Sequence, residues 1–179
     1  MMILETDRLS IAFGGVRAID EVNIAVEAGQ VFSIIGPNGS GKTTLFNLVS
    51  GIYTPNDGSI KLAGKSATGL APAELARRGL SRTFQNLQIF YRMSVLENVM
   101  VGRHRHERTG ILADLLYLPS VARQNETSAK AARAALARVG LTDLADRAAG
   151  SLAYGALKRL EIARALATEP ILLLLDEPA

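Results

Sequence analysis

The segment from residue 36 to residue 43 constrains this chain more than any other part of the sequence. It reads Gly-Pro-Asn-Gly-Ser-Gly-Lys-Thr, which fits the pattern G-x-x-x-x-G-K-[ST]. The apolar run 31–35 precedes it and the helix-favouring segment 42–49 follows it, so the pattern lies between a predicted buried strand and a predicted helix. This context predicts a phosphate-binding loop in an α/β fold, because anions bind where a strand leads through glycines into a helix N-terminus.

The residue types in this loop suit the chemistry of a nucleoside triphosphate. Glycines permit backbone conformations that turn successive N–H groups into one concavity. We expect the Lys42 ammonium to pair with the β- and γ-phosphates and the Thr43 hydroxyl to bind Mg²⁺, so ATP and Mg²⁺ are the predicted cofactors. The predicted nucleotide-binding residues of the loop are Gly36, Pro37, Asn38, Gly39, Ser40, Gly41, Lys42, Thr43 and Thr44.

An acidic pair follows a second apolar run near the end of the chain. Residues 171–175 read Ile-Leu-Leu-Leu-Leu, and Asp176 and Glu177 come next. A carboxylate at the carboxyl end of a parallel strand emerges at the sheet edge where a phosphate loop also lies. We expect Asp176 to reach Mg²⁺ through its water shell and Glu177 to orient or deprotonate the attacking water. Without the upstream loop, the same residues would be an ordinary strand end and turn.

The remaining sequence predicts one globular α/β domain with a helical appendage. The chain has 179 residues, of which 48% are hydrophobic and 21% are charged, and it can bury one substantial core. Residues 3–33 alternate short strand-like segments with turns and predict an antiparallel β layer, whereas 94–139 is helix-rich, with Gly110 and Pro119 as interruptions. The predicted division is a core with its β layer, 1–90 and 156–179, and a helical subdomain, about 91–155.

Composition argues against several other classes of function. The net charge of +3 is spread along the chain, so nucleic-acid binding is not indicated. Cysteine is absent, which excludes disulfides, thiolate catalysis and thiolate zinc sites. His104 and His106 stand in a charged stretch typical of a solvated loop rather than a metal site. The start lacks a secretion signal and the longest apolar run is far too short to span a bilayer, so any membrane role is expected to come through a partner.

Taken together, these motifs resemble the ATPase subunit of ABC transporters over the entire chain. The resemblance is carried by three segments. They are the phosphate loop, the apolar run 171–175 with Asp-Glu-Pro directly after it, and Leu-Ala-Tyr-Gly-Ala at 152–156 before a predicted helix. It implies a P-loop NTPase fold with a parallel core sheet, an antiparallel β layer and a helical subdomain. The sequence is most similar to the branched-chain amino-acid importer type through Phe-Gly-Gly at 13–15, Arg-Thr-Phe-Gln-Asn at 82–86, Met-Ser-Val-Leu-Glu-Asn at 93–98, the segment 159–166 and the ending 176–179.

The resemblance also implies roles for residues outside the loop. Phe13 stands where the family stacks an aromatic ring on adenine, and Gln85 where a glutamine senses Mg²⁺ and water while its loop contacts the permease. The signature segment, Leu152, Ala153, Tyr154 and Gly155, is expected to contact the γ-phosphate of ATP held by the opposite subunit. Against the general family pattern Leu-Ser-Gly-Gly-Gln, Ala153 replaces the serine and Ala156 the glutamine. We therefore expect slower hydrolysis, which Ala156→Gln should relieve.

As a whole, the resemblance implies an ATP-binding and ATP-hydrolysing subunit of an importer for branched-chain amino acids or related small polar solutes. The implied partners are a second ATPase subunit, identical or paralogous, two transmembrane permease subunits and, indirectly, a substrate-binding protein, with no nucleic acid. The implied location is the cytoplasmic face of the inner membrane, peripheral through the permease. Family members continue past Pro178 with another strand and a histidine, so we expect a C-terminally truncated copy that is weakly stable and hydrolytically poor.

Two alternatives from other classes stay open at this point. A soluble ABC protein acting on ribosomes or DNA would predict tandem cassettes, a coiled-coil insertion or a basic face. A non-catalytic subunit that binds nucleotide only structurally is favoured by the altered signature segment. Lys42, Thr43, Asp176 and Glu177 argue against this last alternative, because they are the groups that hydrolysis requires.

Overall fold

The computed structural model describes residues 1–83, 87–106 and 119–176. The chain divides into two compact units, Met1–Leu80 and Ser81–Ala179. The predicted helical subdomain at about 91–155 lies within the second unit, and its bounds stay a prediction.

The N-terminal unit is built on a four-stranded sheet in the order β2-β1-β3-β4. Its strands are β1 (Met2–Phe13), β2 (Val16–Glu27), β3 (Asp57–Leu62) and β4 (Lys65–Ser66). Its helices are α1 (Lys42–Val49) and α2 (Pro72–Arg77). Each strand pair is antiparallel, which confirms the predicted β layer.

A two-residue turn at Gly14 and Gly15 joins β1 to β2. Both glycines have positive φ, 54° and 85°, as a tight hairpin that follows the twist of its strands requires. The turn pairs Phe13 with Val16 across the hairpin. It thereby places the Phe13 ring at the exposed end of the sheet.

The apolar run 31–35 is not a strand in the structure, so this prediction is wrong. Val31 and Ile35 are 92% and 94% exposed. The strands described in this unit pair among themselves, and none of them pairs with 31–35. Apolar composition favours burial, but a strand also needs neighbours for its backbone hydrogen bonds, and composition does not supply those neighbours.

The C-terminal unit is helical, with a two-stranded sheet. The sheet joins β5 (Leu80–Arg82), which begins at the last residue of the first unit, to β6 (Leu172–Leu174). The helices are α3 (Val95–Val101), α4 (Pro119–Arg138) and α5 (Tyr154–Ala167), with 3₁₀ turns at His104–His106, Thr142–Leu144 and Ala149–Ser151. The helix-rich prediction is confirmed for the described residues.

One local prediction in this unit needs correction, and two depend on residues outside the described ranges. Pro119 is the first residue of α4, where its fixed φ suits the first turn; its predicted role as an interruption stays a prediction, because residues 107–118 lie outside the described residues. The run 171–175 is only partly buried, and Ile171 is exposed. Gly110 lies outside the described residues.

The helices α3, α4 and α5 share one hydrophobic core. Its fully buried members include Val95, Val99, Ala132, Leu136, Leu160 and Ala163. The stripe predicted on 128–139 is confirmed, since Ala132 and Leu136 face this core and Val139 packs against it. Asn98 is also fully buried on α3: its amide donates to the carbonyl oxygens of Phe90 (3.0 Å) and Ser94 (2.9 Å), and its oxygen accepts the Phe90 N–H (2.9 Å).

We predict that Asn98→Asp lowers the free energy of unfolding by about 2–4 kcal/mol at neutral pH, because it removes two donors and places a carboxylate against two carbonyl oxygens. Chemical denaturation of the purified protein measures this change. Asn56→Asp is the control, because Asn56 is exposed and accepts a hydrogen bond from the Ala12 N–H, which aspartate also accepts. Equal losses in both variants would contradict the assigned role of Asn98.

Candidate functional site

The loop before α1 has the backbone that its glycines predict. Gly39 and Gly41 have φ of 82° and 87°, the left-handed region that favours glycine. Gly41 is the residue before the first turn of α1, which begins at Lys42. That turn has no acidic residue and no side-chain cap, so no side chain competes for its amide N–H groups. The start of α1 is therefore suited to an anion.

Glycine is required at position 41 for a second reason, which sequence reasoning missed. A Cβ atom there would lie 2.6 Å from the Ala18 carbonyl oxygen and 2.9 Å from Cδ1 of Ile19. The loop therefore packs directly against β2. At Gly36 a Cβ atom would lie 2.6 Å from Oγ of Ser40, so the loop also closes tightly on itself.

The Lys42 side chain folds back over the loop. Its Nζ donates to the carbonyl oxygens of Gly36 (2.7 Å) and Pro37 (2.8 Å). These contacts hold the ammonium at the start of the loop, beside the amide groups of the α1 N-terminus. Lys42 and its loop carbonyls thus combine a positive charge with a curled backbone, which is the arrangement that a polyphosphate recognises.

The predicted adenine-stacking residue, Phe13, contacts a second aromatic ring. The centroids of Phe13 and Tyr53 are 5.2 Å apart and the rings are inclined at 66°. Both rings are exposed. In an edge-to-face contact, one ring presents its edge to the other, so Phe13 keeps at least one face clear of Tyr53. Sequence reasoning missed Tyr53. The feature that could have indicated it is the position of an aromatic residue in the turn after α1.

The hairpin and the loop lie at a short separation along the sheet. Phe13 is paired with Val16, and two residues further along β2 the backbone of Ala18 meets Gly41. One cross-strand step and two residues of strand amount to roughly 12 Å. The aromatic ring and the phosphate loop are therefore within reach of one extended nucleotide.

Asp176 follows β6, and the structure pairs it with Arg82 of β5. The distance from Nη2 of Arg82 to Oδ2 of Asp176 is 3.0 Å, and the two side chains are 8% and 15% exposed. The Asp176 N–H donates to Oγ1 of Thr83 (3.2 Å), and the Thr83 N–H donates to the Leu174 carbonyl (3.0 Å). The strand pairing therefore fixes the carboxylate. Gln85 and Glu177 lie outside the described residues and stay predictions.

The signature segment opens a helix, as predicted. Ala153 precedes the first turn of α5, which begins at Tyr154 and has no side-chain cap and no acidic residue. Tyr154 is exposed, and Nζ of Lys158 lies 5.8 Å from its ring centroid. A Cβ atom added at Gly155 would meet no atom within 4 Å, so this face of the helix is open.

Ala156 does not belong to this open face. It is 9% exposed and packs in the core shared by α3, α4 and α5. A glutamine at this position would bury an amide among apolar side chains, which destabilises a protein unless the amide finds hydrogen bonds. Ala156→Gln therefore changes core packing together with any contact to nucleotide, and the expectation that it relieves slow hydrolysis stays a prediction.

Comparison with known proteins supports the interpretation of these features. The family model described as ABC transporter matches residues 19–179. The high-affinity branched-chain amino acid transport ATP-binding protein BraF of Pseudomonas aeruginosa is 48% identical over 177 residues, 99% of this chain and 69% of that protein. The corresponding LivG protein of Escherichia coli is 42% identical over the same shares. The probable LivG protein of Methanocaldococcus jannaschii is 40% identical over 178 residues, 99% of this chain and 68% of that protein.

Solved structures show the same fold. A nucleotide-free ATP-binding cassette from an ABC transporter is 38% identical, with a TM-score of 0.81, over 100% of this chain and 70% of that chain. An ATP-binding cassette of an ABC transporter in its ADP conformation is 38% identical, with a TM-score of 0.82, over 99% of this chain and 69% of that chain. The predicted fold class is thereby confirmed. Within the described ranges, no helix is long and apolar enough to cross a bilayer.

We predict that Gly41→Ala lowers the free energy of unfolding by about 1–3 kcal/mol more than Gly39→Ala does. Both substitutions force alanine into positive φ, but only the first places a Cβ against β2, whereas at Gly39 a Cβ atom meets nothing within 4 Å. Thermal or chemical unfolding of the two variants checks this difference. If Gly39→Ala proves as costly as Gly41→Ala, the loop does not pack on β2 as described.

Proposed function

Because this chain belongs to the ABC transporter family, we propose that it is the ATP-binding and ATP-hydrolysing subunit of an importer of branched-chain amino acids or related small polar solutes. The observation that carries the proposal is the glycine loop closed onto the N-terminus of α1 and packed against β2. The names of the three relatives support the substrate class.

The loop supplies the phosphate-binding groups. Backbone N–H groups of the loop and of the first turn of α1 are proposed to hold phosphate oxygens at the positive end of that helix. The Lys42 ammonium exchanges its contacts with two loop carbonyls for the β- and γ-phosphates, a move of one flexible side chain. The face of Phe13 that Tyr53 leaves clear stacks on adenine, which orients the nucleotide along β2.

Oxygen groups of the chain suit the metal that accompanies the nucleotide. The Thr43 hydroxyl lies in the exposed first turn of α1, and Asp176 offers a carboxylate held by its own backbone contact to Thr83. Hydroxyl and carboxylate oxygens are the ligands that Mg²⁺ prefers, so each of these two groups by its own chemistry suits the ion. Bound Mg²⁺ would neutralise charge on the β- and γ-phosphates. Gln85 is proposed to contact the ion and the water, and Glu177 to accept the proton of the attacking water.

The start of α5 is proposed to face the nucleotide of a second ATPase subunit. Leu152, Ala153, Tyr154 and Gly155 lead into a helix N-terminus that has no acidic residue and no side-chain cap. Its amide groups attract an anion without a serine hydroxyl, because the attraction comes from the helix backbone. The substitutions in the signature segment therefore weaken this contact without abolishing it.

A groove in the C-terminal unit supports the proposed contact with a permease. It is lined by Leu87, Phe90, Val101 and Arg164 among others, and its volume is about 570 Å³. Phe90 and Val101 are exposed apolar side chains. Partial burial lowers the pKa of the Arg164 guanidinium, and the nearby Glu161 carboxylate opposes this shift. We propose that permease subunits dock here, which places the protein at the cytoplasmic face of the membrane, with a substrate-binding protein as an indirect partner.

We predict that Lys42→Ala weakens ATP binding by about tenfold or more, because a charge-assisted contact to the phosphates is lost. Glu177→Gln should keep the binding and reduce hydrolysis by about 100-fold or more, because the base is removed while the charge of the loop is unchanged. Calorimetry and phosphate release on the complete gene product measure the two effects. Unchanged hydrolysis in Glu177→Gln would favour the non-catalytic alternative.

We also predict that Phe13→Ala weakens ATP binding by about 5- to 100-fold, the range expected for loss of one base–aromatic stack. Binding of inorganic tripolyphosphate, which has no base, should not change. Phe13→Tyr is the matched control, because it keeps a ring of the same shape. A loss of tripolyphosphate affinity in Phe13→Ala would mean that the ring supports the loop and not the base.

A further inference from the structure

The Arg82–Asp176 pair is unusual because it joins two charged groups in a nearly buried place. Their Nη2–Oδ2 distance is 3.0 Å, and the side chains are 8% and 15% exposed. The described residues contain other ion pairs formed by arginine, and these are more exposed. In the Arg78–Glu74 pair the two side chains are 33% and 44% exposed. In each of the others at least one side chain is more than half exposed. Arg82 and Asp176 are thus the pair in which solvent contributes least to charge balance.

Removing water from two charges is costly, and a buried pair is sensitive to the loss of one partner. The remaining charge is then left without compensation, which destabilises the protein strongly. A carboxylate that later binds a metal faces this cost whenever the metal is away. In this structure the Arg82 guanidinium supplies a positive charge to the Asp176 carboxylate.

The backbone holds Asp176 in place independently of Arg82. The Asp176 N–H donates to Oγ1 of Thr83, and the Thr83 N–H donates to the Leu174 carbonyl. The peptide carrying the carboxylate is therefore tied to the end of β5 by contacts that do not involve the guanidinium. Arg82 can leave the carboxylate without releasing the chain at Asp176.

We propose that Arg82 is a positioning residue that balances the charge of Asp176 and releases this carboxylate when it is needed as a metal ligand. This inference rests on the metal role proposed for Asp176. It assigns to Arg82 a role in the reaction cycle that neither the phosphate loop nor the signature segment performs. Binding of magnesium nucleotide then includes the separation of one buried ion pair, and the apparent affinity for the metal is set partly by that separation.

The test uses Arg82→Met in the complete gene product, with ADP as the probe so that no hydrolysis occurs. In EDTA the variant should melt several degrees below the wild type, because Asp176 has lost its counter-charge. With saturating Mg²⁺ and ADP, the difference in melting temperature between variant and wild type should be less than half of the difference in EDTA. Calorimetry should show that the ratio of ADP affinity with Mg²⁺ to ADP affinity in EDTA rises by about fivefold or more, since metal binding no longer separates the pair.

Three further variants make the result specific. Arg82→Lys keeps the charge and should restore a ratio near that of the wild type. Arg82→Gln removes the charge but keeps a donor. If the methionine variant does not fold, the same affinity ratio is measured in Arg82→Gln, where it should also rise. Arg78→Met is the matched control, because Arg78 also pairs with a carboxylate, that of Glu74, at 2.9 Å in a more exposed place; its ratio should not change.

The inference is overturned if the melting difference is the same in EDTA and in magnesium ADP, because Arg82 would then be structural only. It is also overturned if the affinity ratio falls in Arg82→Met, which would mean that the guanidinium supports the metal-bound state. In either case the wild type still binds magnesium nucleotide and the proposed function stands. Absence of binding by the wild type would overturn the proposed function and this inference together.

Discussion

The contact between Gly41 and β2 is the constraint on which the nucleotide site depends. Because the carbonyl oxygen of Ala18 lies only 2.6 Å from where a Cβ of residue 41 would be, α1 begins directly against the sheet. The same strand leads back to the hairpin that carries Phe13, so one packing contact determines both the position of the amide groups and their separation from the aromatic ring. The motif pattern predicts which residues bind phosphate, whereas this contact explains how they could act together with the proposed base-stacking ring of Phe13.

Two cations near proposed ligand sites are engaged by oxygens of the chain itself. Lys42 donates to two carbonyls of its own loop, and Arg82 pairs with Asp176. A site for a polyphosphate and a metal must hold strong charges of both signs, and each charge that is left uncompensated in a partly buried place destabilises the fold. Internal pairing resolves this conflict, but ligand binding must then replace the internal contacts. The affinity for a ligand therefore depends on the difference between the contacts made with the ligand and the internal contacts that they replace.

Local sequence determines the parts of the fold that were predicted well. The start of α1 follows from glycine conformation, the hairpin follows from Gly14 and Gly15, and α5 opens at the signature segment because Ala153 and Tyr154 lead into an amphipathic run. The wrong predictions, those of fully buried strands at 31–35 and 171–175, concern the environment of a segment. The run 31–35 is apolar enough for a buried strand, yet its exposure depends on neighbours that its own residues do not specify. Ala156 occupies a motif position, but the helical period turns it toward the core, and a linear comparison of motifs does not include that rotation.

The Arg82–Asp176 pair shows a more fundamental limit of reading motifs along a chain. The two residues are 94 positions apart, and they meet because β5 and β6 are neighbours in one sheet. Sequence reasoning placed Asp176 beside a metal and gave Arg82 no role of its own, since a charged residue at the end of a short strand is ordinary. The pairing register, which brings Thr83 to the backbone of Leu174 and Asp176, makes the difference. A carboxylate that its motif predicts to be a metal ligand thus acquires its electrostatic state from a strand that the motif does not contain. In the proposed function that state, rather than the identity of the carboxylate, determines how readily it can bind a cation.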